Sequence, residues 1–280
     1  MKKKTSFLAN EPDYKALIPP MMVRRMAKIT RMALMCALSI DKDAGNPNWS
    51  GILVATGLGN LQDTDKFLTS IIESKEGLLS PTSFTQSSHN TVSGNIALIL
   101  KNHNYNMTHV QQAFSFENTL IDARLQLLDK KEQLLVGACD EYLPLLSDIA
   151  NQFHLNTARI EAFGEGASFF NVSTKKAPVG ILAVLVKHHV ASIELEIDVL
   201  LDQNNINRDT CFVLSTSALS EIYMNSDMNV TDYCGRYFTN SAFALHLAVS
   251  HLMKQKKHTS ALIVNTDHQH NLGLILVGIE

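Results

Sequence analysis

The chain has 280 residues, 45% of them hydrophobic and 18% charged, and a formal net charge of −3. That balance excludes a disordered chain, and a charge so close to neutral predicts neither a nucleic-acid partner nor a membrane-surface helix. Lys2-Lys3-Lys4 is not followed by the apolar run of a signal peptide, and no stretch of about 18 apolar residues predicts a membrane span. Four scattered cysteines without a CxxC pair indicate reduced thiols in a cytoplasmic protein, with no cysteine-based zinc site.

Helical and strand periodicities alternate through the first part of the chain. A helix is predicted over 20–40, because two prolines precede apolar residues, many of them methionines, at helical spacing. The next predicted elements are a strand at 51–57, a helix at 63–74, an extended segment at 82–88, a helix at 92–101, a strand at 110–116, a helix at 117–130, and strands at 134–138 and 167–172.

The alternation begins again after Lys175-Lys176-Ala177-Pro178. Strands are predicted at 181–187, 211–215, 261–265 and 272–279, and helices at 193–201 and 241–254. Strands that alternate with helices imply a mostly parallel sheet covered on both faces. We therefore expect an α/β protein with two halves, residues 1–176 and 177–280, packed as one compact unit.

Four short segments stand in a fixed order between residues 20 and 175. They are Val23-Arg24-Arg25-Met26, the segment 81–94, Leu135-Val-Gly-Ala-Cys-Asp-Glu141 and Phe163-Gly-Glu-Gly-Ala167. In order and spacing they resemble four segments of the β-ketoacyl synthases: an Arg-Arg-Met helix, the Pro…Ala-Cys-x-x-Gly nucleophile segment, a Val-Gly-Gly-x-Asp/Glu turn that follows it, and a Gly-Glu-Gly-Ala turn. The resemblance is nearest to the ketosynthase-like proteins of aryl-polyene and flexirubin-type pigment clusters.

The resemblance implies a thiolase-like fold, in which two similar α/β halves form a layered αβαβα arrangement and the protein is normally dimeric. It implies no cofactor. The chain is shorter than a full ketosynthase, its opening strand is not recognisable, and its second half lacks both histidine motifs of the family. The expected fold is therefore a truncated one.

The family's condensation reaction needs a thiolate to hold the acyl chain, together with two imidazoles or equivalent donors. Counting eight residues on from Pro81, the position of the nucleophilic cysteine is occupied by His89. We favour the interpretation that His89 fills the former nucleophile pocket. The alternative is a nucleophile formed by His89 with Ser87 or Ser88, although neighbours in an extended segment face opposite sides.

The two family histidines also have no counterpart. Ser215-Thr-Ser-Ala218 stands where the first is expected, and the segment 234–242 stands where the second is expected. Asn265 and Asn271 resemble the asparagines of the family's closing strand pair. Cys234, which precedes a glycine and a helix, is either an activated thiol or a small residue at a tight turn, and we favour the second.

Histidines at positions 188, 189, 268 and 270 do not predict a metal site. Such a site needs three or four converging ligands, and these residues are expected at turns and strand ends.

These observations favour a chain-length-factor-like subunit that does not condense substrates itself. Its expected partners are an active ketosynthase or a second copy of the chain, and an acyl carrier protein. Phe84, His89 and Asn90, with the methionine-rich first helix, are expected to border an apolar channel or its filled remnant, where Phe84 is either a chain stop or a core residue. The alternatives are an acyl-ACP or acyl-CoA transferase or hydrolase that uses Ser87, Ser88 or Cys234 with His89, and a purely structural homodimer.

Overall fold

The computed structural model of the protein describes residues 6–73, 81–152, 163–216, 226–255 and 257–279. Its strands are β1 (Ser6–Phe7), β2 (Gly51–Ala55), β3 (Tyr105–His109), β4 (Gln133–Asp140), β5 (Phe163–Gly164), β6 (Gly166–Ser173), β7 (Val179–Lys187), β8 (Cys211–Ser215), β9 (Met228–Asn229), β10 (Ser260–Thr266) and β11 (Leu272–Ile279). Its helices are α1 (Pro20–Val23), α2 (Lys28–Asp43), α3 (Leu61–Glu73), α4 (Pro81–Gln86), α5 (Thr91–Leu100), α6 (Ser115–Leu128), α7 (Pro144–Gln152), α8 (Ile193–Gln203), α9 (Thr231–Cys234) and α10 (Asn240–Lys254). No helix in these stretches combines the length and the apolarity that a bilayer span requires.

The two larger sheets have related strand orders, and β1 pairs with β5 in a small third sheet. The first has the strand order β3-β2-β4-β6, in which β2 is parallel to β3 and β4, and β6 is antiparallel to β4. The second has the order β7-β11-β10-β8-β9, in which β8 is parallel to β9 and β10, and β11 is antiparallel to β10 and β7. Each sheet is thus mixed, and the expectation of a mostly parallel sheet is wrong for the second one.

The helices and sheets form five layers. α6 and α10 contact strands of both sheets and form the middle layer, and their apolar side chains share one core with β2, β4, β8, β10 and β11. A second core lies between the first sheet and the helices α2 and α5, and a third lies between the second sheet and α8. This arrangement confirms the expected layered α/β fold.

The helix predicted over 20–40 is two helices. α1 ends at Val23, and α2 begins again at Lys28, where the Ile29 amide donates to a carboxylate oxygen of Glu141 at 3.3 Å. A carboxylate at this end satisfies a main-chain donor that a helix leaves unpaired. A tertiary contact therefore sets the beginning of α2.

Two predicted strands are wrong. Residues 82–88 are not extended, because Pro81 starts the short helix α4 and a turn follows it. The strand predicted at 110–116 lies instead at Tyr105–His109. The apolar residues that suggested a strand are Phe114, which is buried in a 3-10 turn, and Phe116, which is buried in the first turn of α6. A buried helix start and a buried strand give similar short apolar runs in the sequence.

Candidate functional site

A cavity of about 630 Å³ lies beside the carboxyl ends of strands from both sheets. Asp140 ends β4, Thr216 follows β8, and Thr266 ends β10, and all three line the cavity. The carboxyl ends of parallel strands are the usual place for a ligand in such sheets. Apolar side chains cover part of the wall, namely Leu58, Phe114, Leu143, Leu146, Ile149, Phe163 and Phe238.

The strand-to-helix turn that reaches this cavity runs from the end of β3 to the start of α6. Gln112 lies in the turn with a φ of +51°, a conformation that residues other than glycine rarely adopt. The Ser115 hydroxyl accepts a hydrogen bond from the Gln111 amide at 2.7 Å and donates to the Gln112 carbonyl at 2.8 Å. Gln112, Ala113 and Phe114 line the cavity and offer it no thiol, hydroxyl or imidazole.

Asn265 joins this turn to the opposite half of the molecule. Its Nδ2 donates to the Ala113 carbonyl at 2.6 Å and to Glu117 Oε1 at 2.9 Å. Thr216 Oγ1 donates to Asn265 Oδ1 at 3.0 Å, and Asn240 Nδ2 donates to the Thr216 carbonyl at 3.4 Å. Residues at the positions where the family's histidine and asparagine motifs were expected therefore form one polar network behind the cavity.

Glu117 is the buried end of this network. Its side chain is fully buried on α6, and burial raises its pKa to about 7 against the opposing effect of the Asn265 hydrogen bond. Oε2 has no hydrogen-bond partner among the described residues. Glu117 is thus a carboxyl group that the protein holds largely neutral below pH 7.

Asp140 joins the end of β2 to the N-terminus of α10. Its two oxygens accept from Thr56 Oγ1 at 3.0 Å, the Gly57 amide at 2.8 Å, the Thr239 amide at 2.9 Å and Thr239 Oγ1 at 2.8 Å. Burial raises the pKa of Asp140, and these four donors lower it in part. Since every donor belongs to the framework, we assign Asp140 a structural role.

The Gly-Glu-Gly-Ala segment is also explained by packing. Glu165 accepts from the Ala9 amide at 2.8 Å, from Lys28 Nζ at 2.5 Å and from the Tyr142 amide at 3.0 Å. Gly164 lies so close to a neighbouring turn that a Cβ there would stand 1.9 Å from the Cys234 carbonyl oxygen. The motif therefore joins separate segments and leaves no room for a side chain at its first glycine.

His89 lies in the exposed turn between α4 and α5 and not at a strand-to-helix turn. Its ring packs against Gly59, where a Cβ would meet His89 Cδ2 at 2.7 Å. Ser87 Oγ donates to the Phe84 carbonyl at 2.8 Å, and the Ser88 hydroxyl bonds to the exposed Asn90. No hydrogen bond between described residues joins His89 to a serine hydroxyl or to the Cys234 thiol, so no contact favours the transferase or hydrolase alternative.

Phe84 is 62% exposed on α4, and its ring contacts Phe67 on α3 with the centroids 5.6 Å apart. It is not part of the buried core, and the core alternative for Phe84 is therefore wrong.

Cys234 is the last residue of the short helix α9 and is half-buried. Its Sγ lies 3.4 Å from the Val230 carbonyl oxygen and 3.3 Å from that of Gly235. The carboxyl end of a helix does not stabilise a thiolate. This position agrees with the interpretation as a small residue at a tight turn, as does the approach of its carbonyl to Gly164.

Two of the four histidines contact the turn between β10 and β11. His188 Nδ1 lies 3.3 Å from Asn271 Oδ1, and His189 Nδ1 lies 3.1 Å from the Gln269 carbonyl oxygen. Within the described ranges, no three histidine, cysteine, aspartate or glutamate side chains are placed to hold a metal ion. Ser217 and Ala218, the rest of the first predicted histidine counterpart, lie outside those ranges.

Sequence reasoning missed Gln112 and Glu117. The turn and α6 stand immediately before β4, which carries the Val136-Gly137 pair of the recognised motif. Along the chain, one helix separates this motif from the turn that precedes it, so the motif could have located the turn at 110–114. Counting forward from Pro81 led instead to a turn between two helices.

Three solved structures share this fold at low sequence identity. The ishigamide ketosynthase/chain length factor has a TM-score of 0.75 and 16% identity, covering 97% of this chain and 86% of that one. A type II polyketide ketosynthase in complex with its acyl carrier protein has a TM-score of 0.79 and 13% identity, covering 98% and 90%. A β-ketoacyl synthase from Burkholderia phymatum STM815 has a TM-score of 0.78 and 10% identity, covering 97% and 86%. The fold is therefore the thiolase-like fold of the ketosynthases.

The family follows from the sequence itself. The family model of the β-ketoacyl synthase N-terminal domain matches residues 2–158, which is more than half of the chain. The chain belongs to the β-ketoacyl synthase family. No curated protein matches it.

Proposed function

We propose that the chain is a chain-length-factor-like subunit, which pairs with an active ketosynthase in fatty-acid or polyketide biosynthesis of the aryl-polyene or flexirubin type. The observation that carries the proposal is the turn at Gln112, which has the strand-to-helix position of the family's nucleophile and no thiol. The described lining of the cavity contains one histidine, His268, and no cysteine. A condensing site needs a thiolate and two imidazoles or equivalent donors.

The cavity supports a role in shaping an acyl chain. The apolar part of its wall suits a hydrocarbon ligand, and the polar side chains of the lining, Arg236 and Asn265 among them, suit a polar terminus of that ligand. We propose that residues 1–176 and 177–280 act as the two halves of one unit around this cavity.

The partner contact is proposed at β3. β3 is an outer strand that pairs with β2 alone among the described strands, and in the family the strand before the nucleophile lines the two-fold interface. Exposed apolar side chains lie on α5, on β3 and directly after it, and on α6: Leu98, Met107, Val110, Leu125 and Leu128. An exposed strand edge beside apolar surface is suited to pairing with another chain. We expect an obligate interface of about 2,000 Å² or more, formed with a ketosynthase or a second copy.

Phe84, on α4, is proposed to border the acyl channel at the contact with the partner subunit. Its exposure leaves the ring free to meet a partner subunit, and the neighbouring α3 contains no fully buried residue. Leu68 and Ile72 on α3 are 53% and 77% exposed. A bulky ring at a subunit contact is suited to stop a growing chain.

The test is reconstitution with the clustered ketosynthase and an acyl carrier protein. The chain alone is expected to produce no condensation product from malonyl and acyl carriers in a mass-spectrometric assay. The pair is expected to form a stable complex and to elongate the carrier-bound acyl chain. A monodisperse monomer in light scattering, both alone and mixed with the ketosynthase, would contradict the proposal.

A further inference from the structure

Tyr105, His109 and Asp122 form a titratable group outside the cavity lining, which we call the His109 cluster. Tyr105 and His109 are four residues apart on β3, so both side chains lie on one face of the strand, beside Asp122 on α6. Asp122 Oδ2 accepts from the Tyr105 hydroxyl at 2.9 Å and lies 2.9 Å from His109 Nε2. Gln126 Nε2 donates to Asp122 Oδ1 at 2.9 Å. Three side chains are thus placed to donate to one carboxylate.

The Asp122 carboxyl group stays ionised in this arrangement. Burial acts to raise its pKa, but the hydrogen bonds from Gln126, His109 and Tyr105 outweigh burial and hold the pKa below its ordinary value. The side chains of His109 and Asp122 are still 18% and 14% exposed. Water therefore reaches both members of the pair in the isolated chain.

The His109 cluster borders the surface proposed for the partner subunit. Met107 lies between Tyr105 and His109 on the same face of β3 and is exposed. Leu125, three residues after Asp122 on α6, is also exposed, and residues at this spacing are neighbours on a helix surface. A partner that covers Met107 and Leu125 therefore also removes water from Asp122 and His109.

His109 is the side chain placed to supply a positive charge to Asp122. Within the described ranges, no other cation forms an ion pair with this carboxylate: Lys131 Nζ lies over the Tyr105 ring, 4.0 Å from its centroid, and bonds to Gln126. Arg124 is two residues from Asp122 on α6, a spacing that does not place two side chains on one face. The neighbouring β2 and α5 contain no titratable side chain.

We infer that His109 takes up a proton when the partner ketosynthase covers β3, so that the contact between the subunits strengthens as the pH falls. The inference rests on the proposed function, because it requires a partner at β3. A carboxylate deprived of water is costly unless an opposite charge is paired with it. Imidazole side chains ordinarily take up a proton near pH 6.5, within the range where such a pairing can decide their charge.

The sign of the pH dependence follows from this linkage. Since the complex favours the protonated form of His109, affinity is highest below the pH at which the free imidazole titrates, and it is lost as the pH rises. We expect the dissociation constant to be about tenfold lower at pH 6 than at pH 8.

The test mixes the full chain with the clustered ketosynthase and needs no variant for its first result. Analytical ultracentrifugation gives the dissociation constant at pH 6, 7 and 8. Calorimetric titration at pH 7 in two buffers of different ionisation enthalpy measures the protons bound on association, and a net uptake is expected.

Two variants then assign the proton. His109→Gln keeps a donor for Asp122 and takes up no proton, so its affinity is expected to be nearly independent of pH and close to the parent's value at pH 8. Asp122→Asn removes the carboxylate that requires the proton, so it is expected to bind at pH 8 at least as tightly as the parent. A purely structural hydrogen bond would instead make both variants weaker at every pH. His103→Gln, at an exposed histidine before β3, is the matched control and is expected to keep the parent's pH dependence.

Several outcomes overturn the inference. A complex that forms without proton uptake and with one dissociation constant at all three pH values overturns this inference alone and leaves the proposed function standing. A pH dependence that survives in His109→Gln, or that disappears in His103→Gln, assigns the proton to another group. Absence of any complex at every pH overturns the proposed function, and the inference falls with it. Circular dichroism melts at pH 6 and pH 8 show that the variants compared are folded.

Discussion

The Asn265 side chain donates to the Ala113 main-chain oxygen at 2.6 Å, across 152 residues of sequence. The acceptor belongs to the turn that holds Gln112, and the donor belongs to a strand of the other sheet. The shape of the turn therefore depends on a side chain from the opposite half. A second bond from the same Nδ2 to Glu117 fixes the amide in place.

Asn265→Ala is expected to destabilise the fold by about 2–3 kcal/mol, because it leaves a buried carbonyl and a buried carboxyl without their donor. Urea denaturation monitored by circular dichroism measures the change. Asn10→Ala, at an exposed asparagine, is the control and is expected to cost less than about 0.5 kcal/mol. Equal stabilities of the two variants would contradict the role of Asn265.

Glu117 predicts a specific dependence of stability on pH. Its pKa is about 7 in the folded state against an ordinary value of 4.5, so the folded state binds more protons between these values. Stability is therefore lost as the pH rises through this window, by about 3 kcal/mol for this group. Glu117→Gln is expected to remove that loss, so that its urea midpoint exceeds the parent's more at pH 8 than at pH 5.

Glu141 also makes stability fall as the pH rises, because burial raises its pKa to about 7. Glu117→Gln is therefore expected to remove only part of the pH dependence of the parent's stability. Glu132→Gln, at an exposed carboxylate, is the matched control and is expected to keep the parent's profile. A Glu117→Gln profile that is parallel to the parent's would show that Glu117 ionises normally.

Gln112→Cys places a thiol at the strand-to-helix turn and is expected to produce no condensing enzyme. The described cavity wall supplies one histidine where the reaction needs two imidazoles or equivalent donors. His89→Cys is expected to be equally inactive. Repeated turnover of malonyl and acyl carriers by either purified variant would contradict the proposed non-condensing role.

Phe84→Ala separates a surface role from a core role by its cost in stability. Since the ring is 62% exposed, we expect a loss of less than about 1 kcal/mol in the isolated chain. Phe116→Ala removes a fully buried ring and is the control, with an expected cost of about 3–5 kcal/mol.

In the reconstituted pair, Phe84→Ala is expected to lengthen the product, read by mass spectrometry. An unchanged product length from a folded, paired variant would show that Phe84 is not a chain stop.

The sequence predicted the buried strands well and the exposed ones poorly. β8 and β11 begin and end where predicted, because a continuous apolar run between polar turns allows few alternatives. β3 reads Tyr-Asn-Met-Thr-His and lies at the outer edge of its sheet, so it needs no apolar face and has no strong pattern. Its register is set by the Gly51–Ala55 strand beside it, which is a tertiary effect.

The site was predicted in part. The segments that resemble the family's second-half motifs do reach the cavity, through Thr216, Asn240 and Asn265. The strand-to-helix turn at Gln112 was not predicted, and His89 lies in a turn between two helices, because a count along the chain cannot show the order of strands in the sheet. The neutral state of Glu117 arises from burial between the two sheets, which no local pattern records.

Asp140 has a consequence for how the molecule unfolds. Its carboxylate accepts from Thr56 and Gly57, which follow β2, and from Thr239, which precedes α10, so separating the two halves would strip a buried charge of two of its four donors. Leaving such a group unpaired is costly. Unfolding of one half while the other stays folded is therefore unfavourable. Heating is expected to produce one calorimetric transition whose van't Hoff and calorimetric enthalpies agree.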